Sequence, residues 1–138
     1  MSKVAVIYWS QTGNTQAMAE AVASGAQAKG AEVDVLTPAD VTSVAAYDAV
    51  ALGCPAMGAE ELEDGEFLPM LDAIEPELAG KKVALFGSYG WGDGEWMRSW
   101  EARCAGKGIA LAAASVIANE APDDEAAASC AALGEALA

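Results

Sequence analysis

The sequence predicts an α/β fold built on a doubly wound, five-stranded parallel sheet, and three observations carry that prediction. Short apolar runs alternate with segments of helical periodicity along its 138 residues; Gly, Pro and polar turns bound the runs; and a hydroxyl-rich turn separates the first run from the first helical segment. Alternating strands and helices form a parallel sheet covered on both faces, because the crossover connections are right-handed. The length suits one domain, residues 1–138, with one sheet-centred core.

The first strand is expected over residues 3–9, where Val4, Val6, Ile7 and Tyr8 make a short β-branched apolar run of the kind buried on both faces. Met18, Ala21, Val22 and Gly25 then recur at helical spacing as far as Gly30, which reads as a C-cap. The second strand falls at Glu32–Leu36 and the third at residues 48–53, closed by Cys54 and Pro55. A short amphipathic helix is expected over residues 67–74, a fourth strand over 82–88 and a helix over 95–105. A fifth strand over 110–117 and a last helix over 123–137 complete the pattern. Trp96 and Trp100 stand four apart on the third of these helices, a spacing that reads as core packing.

Composition removes several kinds of chemistry. The chain has no histidine, which excludes a histidine base, a Ser-His triad and the usual zinc sites. Cys54, Cys104 and Cys130 are odd in number and widely spaced, so free thiols are expected rather than a disulfide framework or a metal-ligand pair. Twenty-one acidic residues against seven basic ones give a net charge of -14, which repels nucleic acid and anionic membranes. A macromolecular partner is therefore expected to present a basic face. No apolar run approaches the roughly 18 residues of a membrane span, and a soluble, cytoplasmic monomer is the expectation.

A doubly wound sheet binds ligands beyond the carboxyl ends of its strands, where strand order reverses, so the loops after strands one, three and four are the candidates. The first runs Ser10, Gln11, Thr12, Gly13, Asn14, Thr15 and opens directly into a helix. Backbone N–H groups at a helix start carry about half a positive charge, the hydroxyls and the Asn14 amide add donors, and Gly13 allows a close turn around an anion. With no Lys or Arg, the loop would hold a phosphate by neutral donors alone, unlike a triphosphatase loop; it also lacks the G-x-G-x-x-G spacing of dinucleotide folds.

Ser10 to Thr15 resembles the FMN phosphate loop of flavodoxins, Thr/Ser-x-Thr-Gly-x-Thr. Two further stretches, from Gly53 to Leu62 and from Gly87 to Trp96, resemble the flavin-ring loops of short-chain, clostridial-type flavodoxins, so the resemblance spans nearly the whole chain. It implies the sheet order 2-1-3-4-5, non-covalent FMN, and a low-potential one-electron carrier working between redox proteins rather than a turnover enzyme. It implies a ring site built from Pro55, Ala56, Met57, Gly58, Ala59 and Glu60 on one side and Ser88, Tyr89, Gly90, Trp91 and Gly92 on the other. Met57 and Trp91 would cover the two ring faces, a polarizable thioether and a flat aromatic surface suiting that task. The Gly58 carbonyl would accept a hydrogen bond from the N5–H that the flavin gains on reduction, and Glu60 would accept one from N3–H.

Ala59 replaces the polar residue that relatives often carry in this turn, and Pro55 replaces a serine that in some relatives helps bind phosphate. Glu60, Glu61, Glu63, Asp64 and Glu66, with Asp93 and Glu95, concentrate acid around the ring loops, which opposes addition of electrons and suits basic docking faces. Two other readings fare less well. A flavin-dependent reductase needs room beside the ring, which Trp91 would fill. A phosphorylated receiver domain needs an acidic cluster after strand one and an Asp after strand three, where this chain has Ser10 and Cys54-Pro55.

Overall fold

The computed structural model describes residues 2–57, 60–90 and 92–138. Five parallel strands, β1 (Lys3–Tyr8), β2 (Glu32–Leu36), β3 (Ala49–Gly53), β4 (Lys82–Tyr89) and β5 (Val116–Asn119), form one sheet in the order β2-β1-β3-β4-β5. Four helices connect and cover them: α1 (Asn14–Ala28), α2 (Phe67–Leu78), α3 (Glu95–Gly106) and α4 (Asp124–Leu137). The order reverses at β1, whose neighbours are β2 and β3, so the carboxyl end of β1 stands at the switch point where such sheets bind ligands.

Alternation along the strands sorts side chains between two cores. Ala5, Ile7, Val50, Leu52, Val83 and Leu85 face Phe67, Leu71 and Ile74 of α2 and Trp96 and Trp100 of α3. Val4, Val6, Ala49, Ala51, Ala84 and Phe86 face Met18 and Val22 of α1 and Leu133 and Leu137 of α4. This double burial is why the strands read as continuous apolar runs. The two tryptophans are each 1 % exposed, as their helical spacing predicted. On the other face α1 and α4 approach through glycines: a Cβ on Gly25 would stand 1.9 Å from the Ala131 carbonyl oxygen, and one on Gly134 1.9 Å from that of Val22. Any larger side chain at either position would force the two helices apart.

The fifth strand and the second helix differ from expectation by several residues, and the other elements by one residue at most. The fifth strand was expected over 110–117, but regular pairing covers Val116–Asn119 and only Leu111 makes an isolated bridge, to Val83. The intervening alanines hold no β-branched side chain to pack on a pleated surface, and Ser115 turns instead to donate to the Glu101 carboxylate at 2.8 Å. Helix α2 continues past Ile74 to Leu78 in spite of Pro76. Pro76 is exposed, and burial of Glu75 and Leu78 on either side holds the last turn. The first strand stops at Tyr8, although the Trp9 N–H still donates to the Gly53 carbonyl at 3.0 Å.

Among the described residues, Cys54, Cys104 and Cys130 are free and buried, and no group of acidic or cysteine side chains is placed to hold a metal ion. Among the described residues no helix is long and apolar enough to cross a membrane.

Candidate functional site

The turn after β1 is shaped by one glycine and one hydroxyl. Gly13 is the N-cap of α1 at φ 93°, a left-handed conformation that costs glycine nothing, and Ser10 Oγ accepts its N–H at 3.1 Å. Among the described residues no side chain caps α1 and the N–H groups of its first turn have no intramolecular acceptor, so they are left open at the helix end. Its first turn also carries no acidic residue. A helix end left open in this way attracts an anion.

Thr15 lies one residue into that helix. Its Oγ1 is 3.0 Å from Ser88 Oγ and accepts the Ser88 backbone N–H at 3.4 Å, both side chains being buried. The phosphate-type turn is thereby tied to the end of β4. The loops after β3 and β4 are in turn tied to each other: the Ala56 N–H donates to the Ser88 carbonyl at 3.0 Å, and Trp96 Nε1 donates to the Cys54 carbonyl at 3.0 Å. Met57 and Glu61 exchange two backbone hydrogen bonds of 2.9 Å, closing the loop after β3.

One cavity results at the carboxyl ends of β1, β3 and β4. Its walls bring together Ser10, Gln11, Thr12, Asn14 and Thr15 from the first loop, Pro55, Ala56 and Met57 from the second, and Ser88, Tyr89 and Gly90 from the third. None of these carries a positive charge, and the one charged residue on the described wall is Glu120, after β5. Glu120 escaped sequence reasoning because its surroundings resemble any polar turn. Its position after the fifth strand, at the same end of the sheet, was the available signal.

The other residues singled out by sequence stand elsewhere. Gly13 shapes the turn without lining the cavity. Gly58, Ala59 and Trp91 lie outside the described residues. Glu60 and Gly92 meet beside the cavity, where a Cβ on Gly92 would fall 2.0 Å from Glu60 Oε1. Glu60 adopts φ 59°, its Oε2 accepts the Glu95 N–H at 2.9 Å, and its Oε1 is buried with no hydrogen-bond partner among the described residues. A buried carboxylate oxygen without a donor is costly, and a ligand N–H is the kind of group that would satisfy it.

The acid around these loops is not a uniform rim. Glu63 folds back on its own backbone, accepting from Gly65, Glu66 and Phe67 at 2.7, 2.8 and 2.7 Å, and so caps α2. Burial opposes its ionisation, but those three N–H groups outweigh it and hold the carboxyl below its ordinary value. Glu66 accepts from Trp9 Nε1 at 3.1 Å, and Asp93 and Glu95 share Arg98 at 3.0 and 2.8 Å. Glu61 and Asp64 are exposed and make no ion pair or side-chain hydrogen bond among the described residues. The Cys54 thiol beneath the second loop is pushed up to about 12, chiefly by burial, which keeps it a thiol rather than a nucleophile.

A doubly wound sheet with an open helix end after its first strand defines an α/β protein of the class that binds ligands at its switch point. The flavodoxin family profile matches residues 6–134. The chain is 49 % identical over 137 residues to a flavodoxin of Megasphaera elsdenii, covering 98 % of each, and 46 % identical over 121 residues to one of Clostridium beijerinckii, covering 86 % of this chain and 88 % of that one. The solution structure of two-electron reduced Megasphaera elsdenii flavodoxin superposes with a TM-score of 0.89 at 47 % identity, covering 97 % of both chains.

The chain belongs to the flavodoxin family, in its short-chain, clostridial-type branch. It binds FMN and carries electrons one at a time, at low potential, between redox partner proteins, and it is not a turnover enzyme.

Proposed function

We propose that residues 1–138 act as one FMN-binding domain whose cofactor lies in the cavity at the switch point, phosphate on the first loop and ring between the other two. The observation that carries this reading is the convergence of Thr12, Met57 and Tyr89, from three distant segments, on one wall. The groups present suit FMN: an uncapped helix end for a single terminal phosphate, neutral hydroxyls around it, and the orphaned Glu60 Oε1 for a ring N–H. When bound, FMN supplies the ring that takes up and releases electrons. Ser10, Thr12, Asn14 and the first N–H groups of α1 hold the phosphate; Thr15 positions Ser88. Pro55, Ala56 and Met57 from the second loop and Tyr89 and Gly90 from the third bound the ring, and the family resemblance assigns Gly58, Ala59, Trp91 and Gly92 to the same site.

The test compares FMN with riboflavin, which lacks the phosphate. Wild-type apoprotein should bind FMN about a hundredfold more tightly, and T12A or N14A should shrink that ratio without changing riboflavin affinity. Equal affinity for the two flavins would remove the first loop from the site.

The same reading extends to partners. Glu61 and Asp64, the unengaged carboxylates of the second loop, guide this cytoplasmic monomer onto basic docking faces of its redox partners. Electron transfer should slow steeply with ionic strength, and E61Q/D64N should flatten that dependence.

A further inference from the structure

We propose that Trp96 is a positioning residue for the flavin ring, its indole N–H fixing the peptide from which the second loop springs. The proposal rests on the FMN site described above. Trp96 stands in the first turn of α3, is 1 % exposed, and does not itself line the cavity. Its Nε1 donates to the Cys54 carbonyl at 3.0 Å. The amide nitrogen of Pro55 carries no hydrogen, so that carbonyl is the one hydrogen-bonding group of the peptide unit joining Cys54 to Pro55. The proline ring also holds the φ of Pro55 nearly fixed. A rotation of this peptide unit therefore carries Pro55, Ala56 and Met57 with it, and these form the second-loop wall of the cavity.

Gly87 of β4 makes room for this contact. A Cβ there would stand 2.2 Å from the Cys54 carbonyl oxygen and 3.2 Å from Trp96 Cζ2, so a larger residue would part the two. A glycine inside a strand marks a close approach of this kind. The indole also meets Tyr89, with ring centroids 5.6 Å apart, and Tyr89 belongs to the third-loop wall. One side chain thus backs both walls of the ring space. Trp100 provides the contrast: it lies one turn further along the same helix and is equally buried, yet its Nε1 has no hydrogen-bond partner among the described residues. Packing an indole against this face of the sheet does not require its N–H to be used, so the bond to Cys54 is a feature separate from packing. Without that bond the buried carbonyl would lack its donor, and turning it toward water would displace the loop.

Trp100 also supplies the control, because W100F removes a buried indole but no hydrogen bond. Apoprotein of the wild type, W96F and W100F is titrated with lumiflavin, the ring without linker or phosphate, and with inorganic phosphate, a probe of the first loop. W96F should weaken lumiflavin about tenfold and leave phosphate within about twofold, while W100F should leave both within about twofold. A protein in which the benzothiophene analogue of tryptophan replaces Trp96 keeps the shape of the side chain and loses only the N–H. It should repeat the tenfold loss, and it decides the question if W96F does not fold. Equal weakening of lumiflavin by W96F and W100F would make Trp96 a packing residue and overturn the proposal. A phosphate loss as large as the lumiflavin loss would overturn it too, because the fold at large would then have loosened, as would unchanged lumiflavin binding in the benzothiophene protein. Wild-type protein that bound phosphate but neither lumiflavin nor FMN would instead defeat the ring site itself.

Discussion

The hydroxyls of Thr15 and Ser88 lie 3.0 Å apart although 73 residues separate them, and both side chains are buried. This contact fixes the start of α1 against the end of β4, so the phosphate turn and the third loop move as one body. T15V keeps the shape of the side chain but leaves the Ser88 hydroxyl and N–H without their partner, which should cost about 1–3 kcal/mol. Adding S88A removes the stranded hydroxyl, and the double variant should be no less stable than T15V alone. Urea denaturation of the four apoproteins reads both values, and a larger loss in the double variant would show that the pair is not a buried hydrogen bond.

Glu63 performs for α2 what no side chain performs for α1. Removal of its carboxylate in E63A releases three N–H groups and should cost about 1–2 kcal/mol of stability at neutral pH. Its folded-state pKa is depressed, so this stabilisation is complete at neutrality. It starts to fade as pH falls past the ordinary value of 4.5, and is lost once pH passes below the depressed value. The stability difference between wild type and E63A should therefore narrow in acid. A difference independent of pH would mean that the carboxylate's charge plays no part in the cap.

The side chain of Glu75 is 4 % exposed and meets Arg103 Nε at 2.7 Å, joining α2 to α3 under the apolar face of the sheet. Breaking such a pair strands a buried charge: R103M should lose about 3 kcal/mol, the lower end of the usual range because Lys107 stands 3.5 Å from the same carboxylate. Replacing both partners, in E75M/R103M, should restore most of that loss. Chemical denaturation across the cycle tests the point, and a double variant as unstable as R103M would contradict it.

Burial raises the Cys104 and Cys130 thiols to about 11 and Cys54 to about 12. The native protein should react with a thiol reagent at pH 8 far more slowly than the unfolded chain, which should release all three groups at once. Rapid modification of one thiol in native conditions would expose an opening of the fold that the packing does not predict.

Much of this arrangement was legible because the signals were local. Val4, Val6 and Ile7 announce a strand buried on both faces, and Thr12, Gly13 and Asn14 announce an anion turn by their chemistry. Tertiary relations were not legible. Nothing in the sequence says that Glu63 caps its own helix or that Glu66 serves Trp9, so acid that reads as one patch is divided between structure and surface. The fifth strand was misplaced because an alanine-rich run signals burial without saying what it pairs with. Glu120 was missed because its surroundings resemble any polar turn, and its contact with the Tyr89 carbonyl joins residues far apart in sequence.

The claim that three segments converge on one FMN is tested most directly by titrating the isotope-labelled apoprotein with FMN and following its backbone amide resonances. Signals of Thr12, Asn14 and Thr15, of Ala56 and Met57, and of Ser88, Tyr89 and Gly90 should shift together and saturate at one equivalent. Shifts confined to one of these segments, or saturation at a different stoichiometry, would contradict it.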